Sequence, residues 1–474
     1  MNRSFTCLRY MVFLLLMPAL IFTPVVGGTS HAFSLDVDKR VAPNGLPVLQ
    51  VERHNIPVVM VTLLVKASPL SEPADKAGVA YLTSKMLTEG TAKRSAAKIS
   101  EDIEFLGASL DASTTHDFTT ISLSVLKKDV DKGFELFSDI LLNPVFREDE
   151  LNRKKALITG ALRQREEDPA FVAGRAFIKE VFGAHAYGRL VEGSIESVGR
   201  IQRDDVLDFY RANYCPDNAI LSVVGDLTPQ ELNALVGKYL AGPSGWKRTC
   251  PAPQKVSGNG NAGTAPSMMP FAPAGLRIVP IDRDISQANI VLGHLGIARS
   301  DPDYYAVQVM NYILGGGGFA SRLMRVVRDE RGLTYGINSS FIGNKEPGQF
   351  EVEVQTKSAS AGAVIDEIVR QMEQIRTGEV TDQELSDAKA YLTGSFPRRF
   401  ETSRRIADFL AAARFYNLGD DYIQKYPDYI ESVTKEDVQR VAKKFLHPDR
   451  YVLVVVGNQK QVELPQPQPP QEVR

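Results

Sequence analysis

The chain repeats itself. CPDNAILSVVGD (Cys215–Asp226) returns as HPDRYVLVVVGN (His447–Asn458), and ELNRKKALITGAL (Glu150–Leu162) returns as ELSDAKAYLTGSF (Glu384–Phe396). The tripeptide ESV recurs as well, at Glu196–Val198 and Glu431–Val433. All three pairs are offset by about 230 residues, which points to two copies of one folding unit of about 200 residues rather than to many short stacked repeats. A length of 474 residues also exceeds what one hydrophobic core ordinarily serves.

The copies follow a common order. Each opens on an apolar β run, Pro57–Ala67 in the first and Gln287–Ile297 in the second. A helix follows, then alternating strands such as TTISLSVL (Thr119–Leu126) and GQFEVEVQTK (Gly348–Lys357). Amphipathic helices come next (Val130–Leu142, Ala361–Ile375), and each copy closes on a β run ending in VVG. Alternating strands with segregated helices predict an α+β fold: two homologous domains, each a mainly antiparallel sheet with helices packed on one face. The domains are expected at 33–240 and 276–460. Between them 241–275 is rich in Pro, Gly, Ser and Asn and reads as a linker, and 461–474 reads as a Pro/Gln-rich tail.

Residues 1–32 have the order of a cleaved secretory signal: Arg3 and Arg9, an apolar run Met11–Phe22, then Ser30 and Ala32 at cleavage-site spacing. The run is short for a membrane span and Pro18 interrupts it. The mature chain is expected to start near Phe33. Of the three cysteines, Cys7 lies in the signal; Cys215 and Cys250 could pair in an oxidising compartment or stay as two free thiols. A net charge of −2 excludes a general attraction to nucleic acid or anionic lipid.

The densest chemistry is in LGGGGFASRLMRVVRDERGLTY (Leu314–Tyr335). Phosphate binding is a poor reading of it. Gly315, Gly316, Gly317 and Gly318 are followed by Phe319, Ala320 and Ser321, without the lysine of a phosphate loop, and the preceding Tyr304–Leu314 looks helical rather than extended. Spacings of three would place Arg322, Arg325, Arg328 and Arg331 along one side of a helix, either as a solvated face paired with Asp329 and Glu330, or with one arginine and Tyr335 turned into a cleft as hydrogen-bond donors.

This stretch resembles the second-domain motif of the M16 metallopeptidases, the pitrilysin, insulysin and mitochondrial-processing-peptidase relatives. AGVAYLTSKMLTEGT (Ala77–Thr91), LGASLDASTTHDFTTISLSV (Leu106–Val125), REEDPA (Arg165–Ala170) and the duplication extend the likeness over the mature chain. The resemblance implies two α+β domains forming a peptidase chamber. In active members a first-domain helix carries His-x-x-Glu-His, whose two histidines share Zn²⁺ while the glutamate polarises water; a further glutamate about 76 residues on completes the ligands. The matching positions here are Tyr81, Ser84 and Lys85, with Ala161 at the distal position, so all four are lost. None of His31, His54, His116, His185, His294 and His447 lies four or five residues from another; His116, placed in a strand, is the one to watch. The family's substrate-side pair, an arginine seven residues before a tyrosine, matches Arg328 and Tyr335, with Arg331 as runner-up. In the family these donors stabilise the substrate carbonyl and the developing oxyanion.

The resemblance therefore implies a non-catalytic subunit of a secreted, periplasmic heterodimer. Arg328 and Tyr335 would act in trans on a peptide held by a zinc-bearing partner, with no metal or cofactor in this chain. Gly315–Gly318 would turn beside the substrate, and an extended peptide would add to a sheet edge within Leu110–Val125. The alternatives are an inert structural homologue, a peptide-binding homodimer, and an active peptidase built on another metal site.

Overall fold

The structure is a computed structural model that describes residues 35–250, except 244, 247 and 248, and residues 275–464. The signal segment, most of the linker and the tail from 465 onward lie outside the described residues. Among the described residues, eleven strands form two sheets. The first contains β1 (Asp38–Val41), β2 (Pro47–Glu52), β3 (Val58–Val65), β4 (Ser109–Thr114), β5 (Thr119–Leu126) and β6 (Ala219–Gly225), in the order β1-β2-β6-β3-β5-β4. The second contains β7 (Arg277–Asp282), β8 (Gln287–Leu295), β9 (Thr334–Gly343), β10 (Pro347–Lys357) and β11 (Val452–Gly457), in the order β7-β11-β8-β10-β9.

Apart from β1, the two orders are the same. In each, one parallel pair (β2 with β6, β7 with β11) is joined to antiparallel neighbours. The duplication seen in sequence is thus a duplication of topology. Sequence patterning opened the copies at β3 and β8, but β1 and β2 precede the first and β7 precedes the second. β7 is half-exposed and contains Pro280, which weakens its alternation. Patterning also put His116 in a strand; it sits in the tight turn between β4 and β5, where the Thr115 amide donates to the Phe118 carbonyl and the Phe118 amide to the Thr115 hydroxyl.

Each half packs its own helices on one face of its sheet. In the first half, Val61, Leu63, Ile121 and Val223 meet Leu82, Phe134, Phe137 and Phe209. In the second, Ile290, Leu292, Phe350 and Val352 meet Val307, Val364, Ile368 and Val441. The central strands are apolar on the opposite face too, and there each half borrows a helix from the other. Helix Pro169–Phe182 places Val172, Phe177 and Val181 on Val291, Val452, Val454 and Val456. Helix Ser403–Phe415 places Ile406, Ala407, Leu410 and Ala411 against Met60, Leu64, Ile220 and Val224. Fully burying one such side chain is worth about 2 kcal/mol, so the exchange ties the halves strongly.

Polar groups fix the register of the exchange. Thr62 donates to Asp408 at 2.7 Å, and Arg404 pairs with Asp111 at 3.0 Å. Asp117, 4% exposed, accepts from the Tyr187 hydroxyl on its own side and from Tyr416 (2.7 Å) and the Lys345 amide (2.8 Å) on the other. Burial, then the bond to Asp117, pushes both tyrosine hydroxyls well above their ordinary range.

Cys215 and Cys250 are disulfide-bonded, with Cα atoms 5.5 Å apart. Trp246 is buried in the first-half core and its Nε1 donates to Tyr214 O at 3.2 Å. Hence the described start of the 241–275 segment is pinned to the first half. Among the described residues no helix is long and apolar enough to cross a membrane.

Two outcomes test this frame. Asp117→Ala would strand the buried Tyr187 hydroxyl, the half-buried Tyr416 hydroxyl and an amide; a loss of about 3 kcal/mol in urea unfolding is expected, and a loss below about 0.5 kcal/mol would mean that Asp117 does not tie the halves. On the open face of β10, burial and then neighbouring Glu353 push the Glu351 carboxyl up to about 7 from 4.5. A raised carboxyl stabilises the fold fully below about pH 4.5 and loses that contribution as pH rises through about 7. From pH 5 to 8 the parent should therefore lose roughly 1–3 kcal/mol more than Glu351→Gln. Parallel stability–pH curves would refute the assignment.

Candidate functional site

The helix Val79–Met86 carries Tyr81, Ser84 and Lys85, the positions matched to the zinc motif by resemblance. Glu72 caps its start, accepting from the amides of Gly78 (3.1 Å) and Ala80 (2.8 Å). Within the helix these positions are bonded to their surroundings. Ser84, fully buried, donates to Tyr81 O at 2.7 Å and accepts from Thr114 at 3.0 Å. Lys85 donates to the Ala112 carbonyl on β4, and its ammonium lies 5.3 Å from the centre of the Tyr81 ring. Burial holds the Lys85 ammonium below its ordinary value, opposed by Asp111 and Glu192. Burial, then Glu192, raises the Tyr81 hydroxyl. Ala161 is exposed on the helix Glu148–Arg165 and brings only a methyl group.

These residues do not fit zinc. A half-buried phenol, a hydroxyl already bonded on both sides, an ammonium and a methyl offer no tetrahedral set of thiolate, imidazole or carboxylate donors. The one group of potential ligands found among the described residues is Cys215, Asp217 and Cys250, and its two sulfurs are bonded to each other. His116 bonds the Arg189 carbonyl at 3.0 Å and packs edge-on to Tyr187, 5.5 Å away.

The glycine-rich stretch is built differently from the regular helix the arginine spacing suggested. After helix Tyr304–Asn311 the chain widens into a π-turn, Tyr312–Gly316, in which the Gly317 amide reaches back five residues to Tyr312 O at 2.9 Å. A second wide segment, Met324–Glu330, ends with the Arg331 amide on Val326 O at 3.1 Å. Wider turns place residues three apart on different sides, so the four arginines do not share a face. Arg322 is buried in a bidentate pair with Glu384 (2.7 and 2.8 Å). Arg331 pairs with fully buried Glu367 at 2.8 Å, which leaves it a structural partner. Arg325 stands exposed, 3.8 Å from Glu330.

Arg328 lies over the Phe319 ring, 4.8 Å from its centre, and one of its nitrogens meets Asp329 at 3.0 Å. Tyr335 is 91% exposed at the start of β9, the edge strand of the second sheet. A bulge aims it outward: the register slips between the Ile337–Val354 and Thr334–Thr356 pairs, so Tyr335 and Gly336 face the single residue Gln355. Thr334 braces the bulge by donating to Gln355 O at 2.7 Å and accepting from the Gly336 amide at 3.1 Å. Arg328 and Tyr335 line one cavity of about 500 Å³ together with Gln287, Gly332 and Lys357.

The glycines divide in role. A Cβ on Gly315 would come within 2.4 Å of Ser339 Oγ on β9, and Gly316 and Gly317 are closed in by Asn311 and Tyr312, so these three serve internal packing. Only Gly318, with φ +57° and open space before it, faces a groove of about 520 Å³. That groove runs between β8–β10 and the start of helix Pro169–Phe182, lined by Asp168, Asn338, Glu353 and Gly336. Sequence reasoning missed Phe319 and the bulge at Tyr335; an aromatic after the glycine run was the one available signal.

The family comparisons agree with this geometry. Residues 48–192 match the model described as insulinase (peptidase family M16), and residues 200–392 match the one described as peptidase M16 inactive domain. The chain is 26% identical to an uncharacterized zinc protease of Mycobacterium leprae over 426 residues, covering 90% of this chain and 93% of the relative. It is 28% identical to one of Streptomyces coelicolor over 377 residues, 78% of each chain. A crystal structure titled peptidase M16 inactive domain, from Pseudomonas fluorescens, superposes with TM-score 0.79 at 30% identity, covering 89% of this chain and 98% of that one. A protease from Helicobacter pylori shares the fold, with TM-score 0.79 at 22% identity over 90% of this chain and 100% of that one. With both of its halves matched and a 30% identical structure spanned almost end to end, the chain belongs to the M16 peptidase family.

Proposed function

We propose that this chain is the non-catalytic subunit of an M16 zinc peptidase. It would lend Arg328 and Tyr335 in trans to a partner carrying His-x-x-Glu-His and the zinc. The observation that carries the reading is the contrast between the two halves. Ser84 is bonded to the Tyr81 carbonyl and Lys85 to the Ala112 carbonyl on β4, whereas Arg328 and Tyr335 open into one cavity with donor capacity to spare. Positioned donors of this kind stabilise a developing oxyanion by about 3 kcal/mol each. The substrate would lie extended, adding to the free edge of β4. Within the expected Leu110–Val125 stretch only β4 is an edge, because β5 lies between β3 and β4. Gly318 would keep the second-half groove clear of side chains. Export to a periplasm is supported by the charged, apolar and small-residue order of 1–32, and the Cys215–Cys250 bridge suits an oxidising compartment.

The oxidised chain alone should carry no stoichiometric zinc by elemental analysis and cleave no peptide; one tight zinc per chain would sink the reading. Mixed with an M16 chain bearing the intact zinc motif and encoded beside it, it should restore turnover. Arg328→Ala or Tyr335→Phe should then lower kcat by about 100-fold with assembly intact. Unchanged kcat in both variants would instead favour an inert structural homologue.

A further inference from the structure

The open face of the second sheet holds four polar side chains that the fold leaves unused. Phe350, Val352 and Val354 turn into the core, so Glu351, Glu353 and Gln355 of β10 point to the other side. The register sets Gln355 beside Asn289 of β8, and Glu353 between Val291 of β8 and Asn338 of β9. Asn289, Asn338, Glu353 and Gln355 all line the groove of about 520 Å³ that Gly318 faces. None of the four side chains has a hydrogen bond or ion pair among the described residues. Asn289 is only 6% exposed, and a buried amide without a partner costs free energy. Two residues along the same face, Val291 packs under helix Pro169–Phe182 without that cost. A ligand that reaches into the groove gives the Asn289 amide the partner that the fold does not.

Charge and shape narrow the ligand. Glu353 is exposed, and no lysine, arginine or histidine is among the described residues that line the groove with it. Asp168 adds a second carboxylate from the start of helix Pro169–Phe182. One of its oxygens accepts from the Ala170 amide at 3.0 Å, so that helix end is capped from within and calls for no anion. Lys357, next on the same face after Gln355, lies in the neighbouring cavity with Arg328 and Tyr335. The groove therefore carries negative charge without a counter-ion. Its remaining wall is apolar, with Pro169, Ala173 and Met324. An aliphatic stem that ends in a cation fits both features, the stem on the apolar wall and the charge at Glu353. Gly336 belongs to this groove and to the bulge that turns Tyr335 outward, so the groove adjoins the Arg328–Tyr335 cavity.

We propose that this groove is a subsite for a lysine or arginine side chain of an extended peptide, its charge received by Glu353 and its N–H groups by the amide oxygens of Asn289 and Asn338. This rests on the peptide-presenting role proposed above and names the substrate class that role would serve. A glutamate or aspartate side chain is disfavoured in the groove by like charge.

The test is fluorescence anisotropy with the full chain and four labelled extended peptides. They share an uncharged sequence and differ at one central position, which is lysine, arginine, norleucine or glutamate. The lysine and arginine peptides should bind about tenfold more tightly than the norleucine peptide, which has the stem without the charge. The glutamate peptide should bind more weakly still, and the spread should shrink near about 1 M salt. Glu353→Gln and Asn289→Val should each reduce the preference for lysine over norleucine about threefold or more. Norleucine-peptide affinity should stay the same, and the thermal midpoint should not fall, because neither side chain has a partner in the fold. Equal binding of all four peptides, or an unaltered preference in either variant, overturns the subsite and leaves peptide presentation standing. Binding of none of the four overturns the peptide-presenting role itself, and the subsite with it.

Discussion

The central strands of both sheets are apolar on two faces, and each half has helices of its own for only one. Everything else in the molecule follows from how the second face is covered. Val172, Phe177 and Val181 belong in sequence to the first copy but complete the core of the second; Ile406, Leu410 and Ala411 do the reverse. Neither copy can keep its sheet dry alone, so the duplicated chain behaves as one unit although its sequence reads as two. The Asp117 carboxylate, with donors from both copies and almost no exposure, fixes one geometry among the arrangements that apolar contact alone would allow.

That frame also holds the helix Val79–Met86 in place without relying on Tyr81 or Lys85. Val79, Ala80, Leu82 and Met86 are buried in the first-half core, and Glu72 closes the helix start, so apolar packing and the cap hold the helix. The substitutions are also locally consistent. Ser84 finds a donor and an acceptor, and Lys85 keeps its charge against a carbonyl and an aromatic face. A partly dismantled site would instead leave a buried imidazole or carboxylate without its cation, which is the more costly state.

Much of this was legible in sequence, for identifiable reasons. Repeated segments close to β6 and β11 marked the duplication, because those central strands are buried on both faces and read as continuous apolar runs. The seven-residue spacing singled out Arg328 and Tyr335, which the fold brings to one cavity. The helix exchange was not legible: an apolar stripe says that a helix is buried, not which sheet buries it. The wide turns at Tyr312–Gly316 and Met324–Glu330 were hidden because helical patterning assumes 3.6 residues per turn. This is why four arginines that looked equivalent separate into Arg322 and Arg331 as buried-partner residues and Arg328 as the one beside the cavity. Pairing of Cys215 with Cys250 depends on how the chain folds back over 35 residues, which spacing does not reveal.

The two halves of the site differ in unmet bonding capacity, and that difference bears on what each could do. A guanidinium has five donor positions, and Arg328 commits one nitrogen to Asp329 while its face rests on Phe319. The Tyr335 hydroxyl has no partner among the described residues, and the bulge behind it spends two hydrogen bonds of Thr334 on holding the ring outward. Folding alone gives no reason to brace an exposed aromatic or to leave donors free beside a cavity. Arg322, by contrast, shows what the fold requires of an arginine: burial, and a carboxylate that meets it twice. Donors held in place but unsatisfied are what a site needs when the group they bind arrives from outside the chain, because little reorganisation is then required as charge develops on that group.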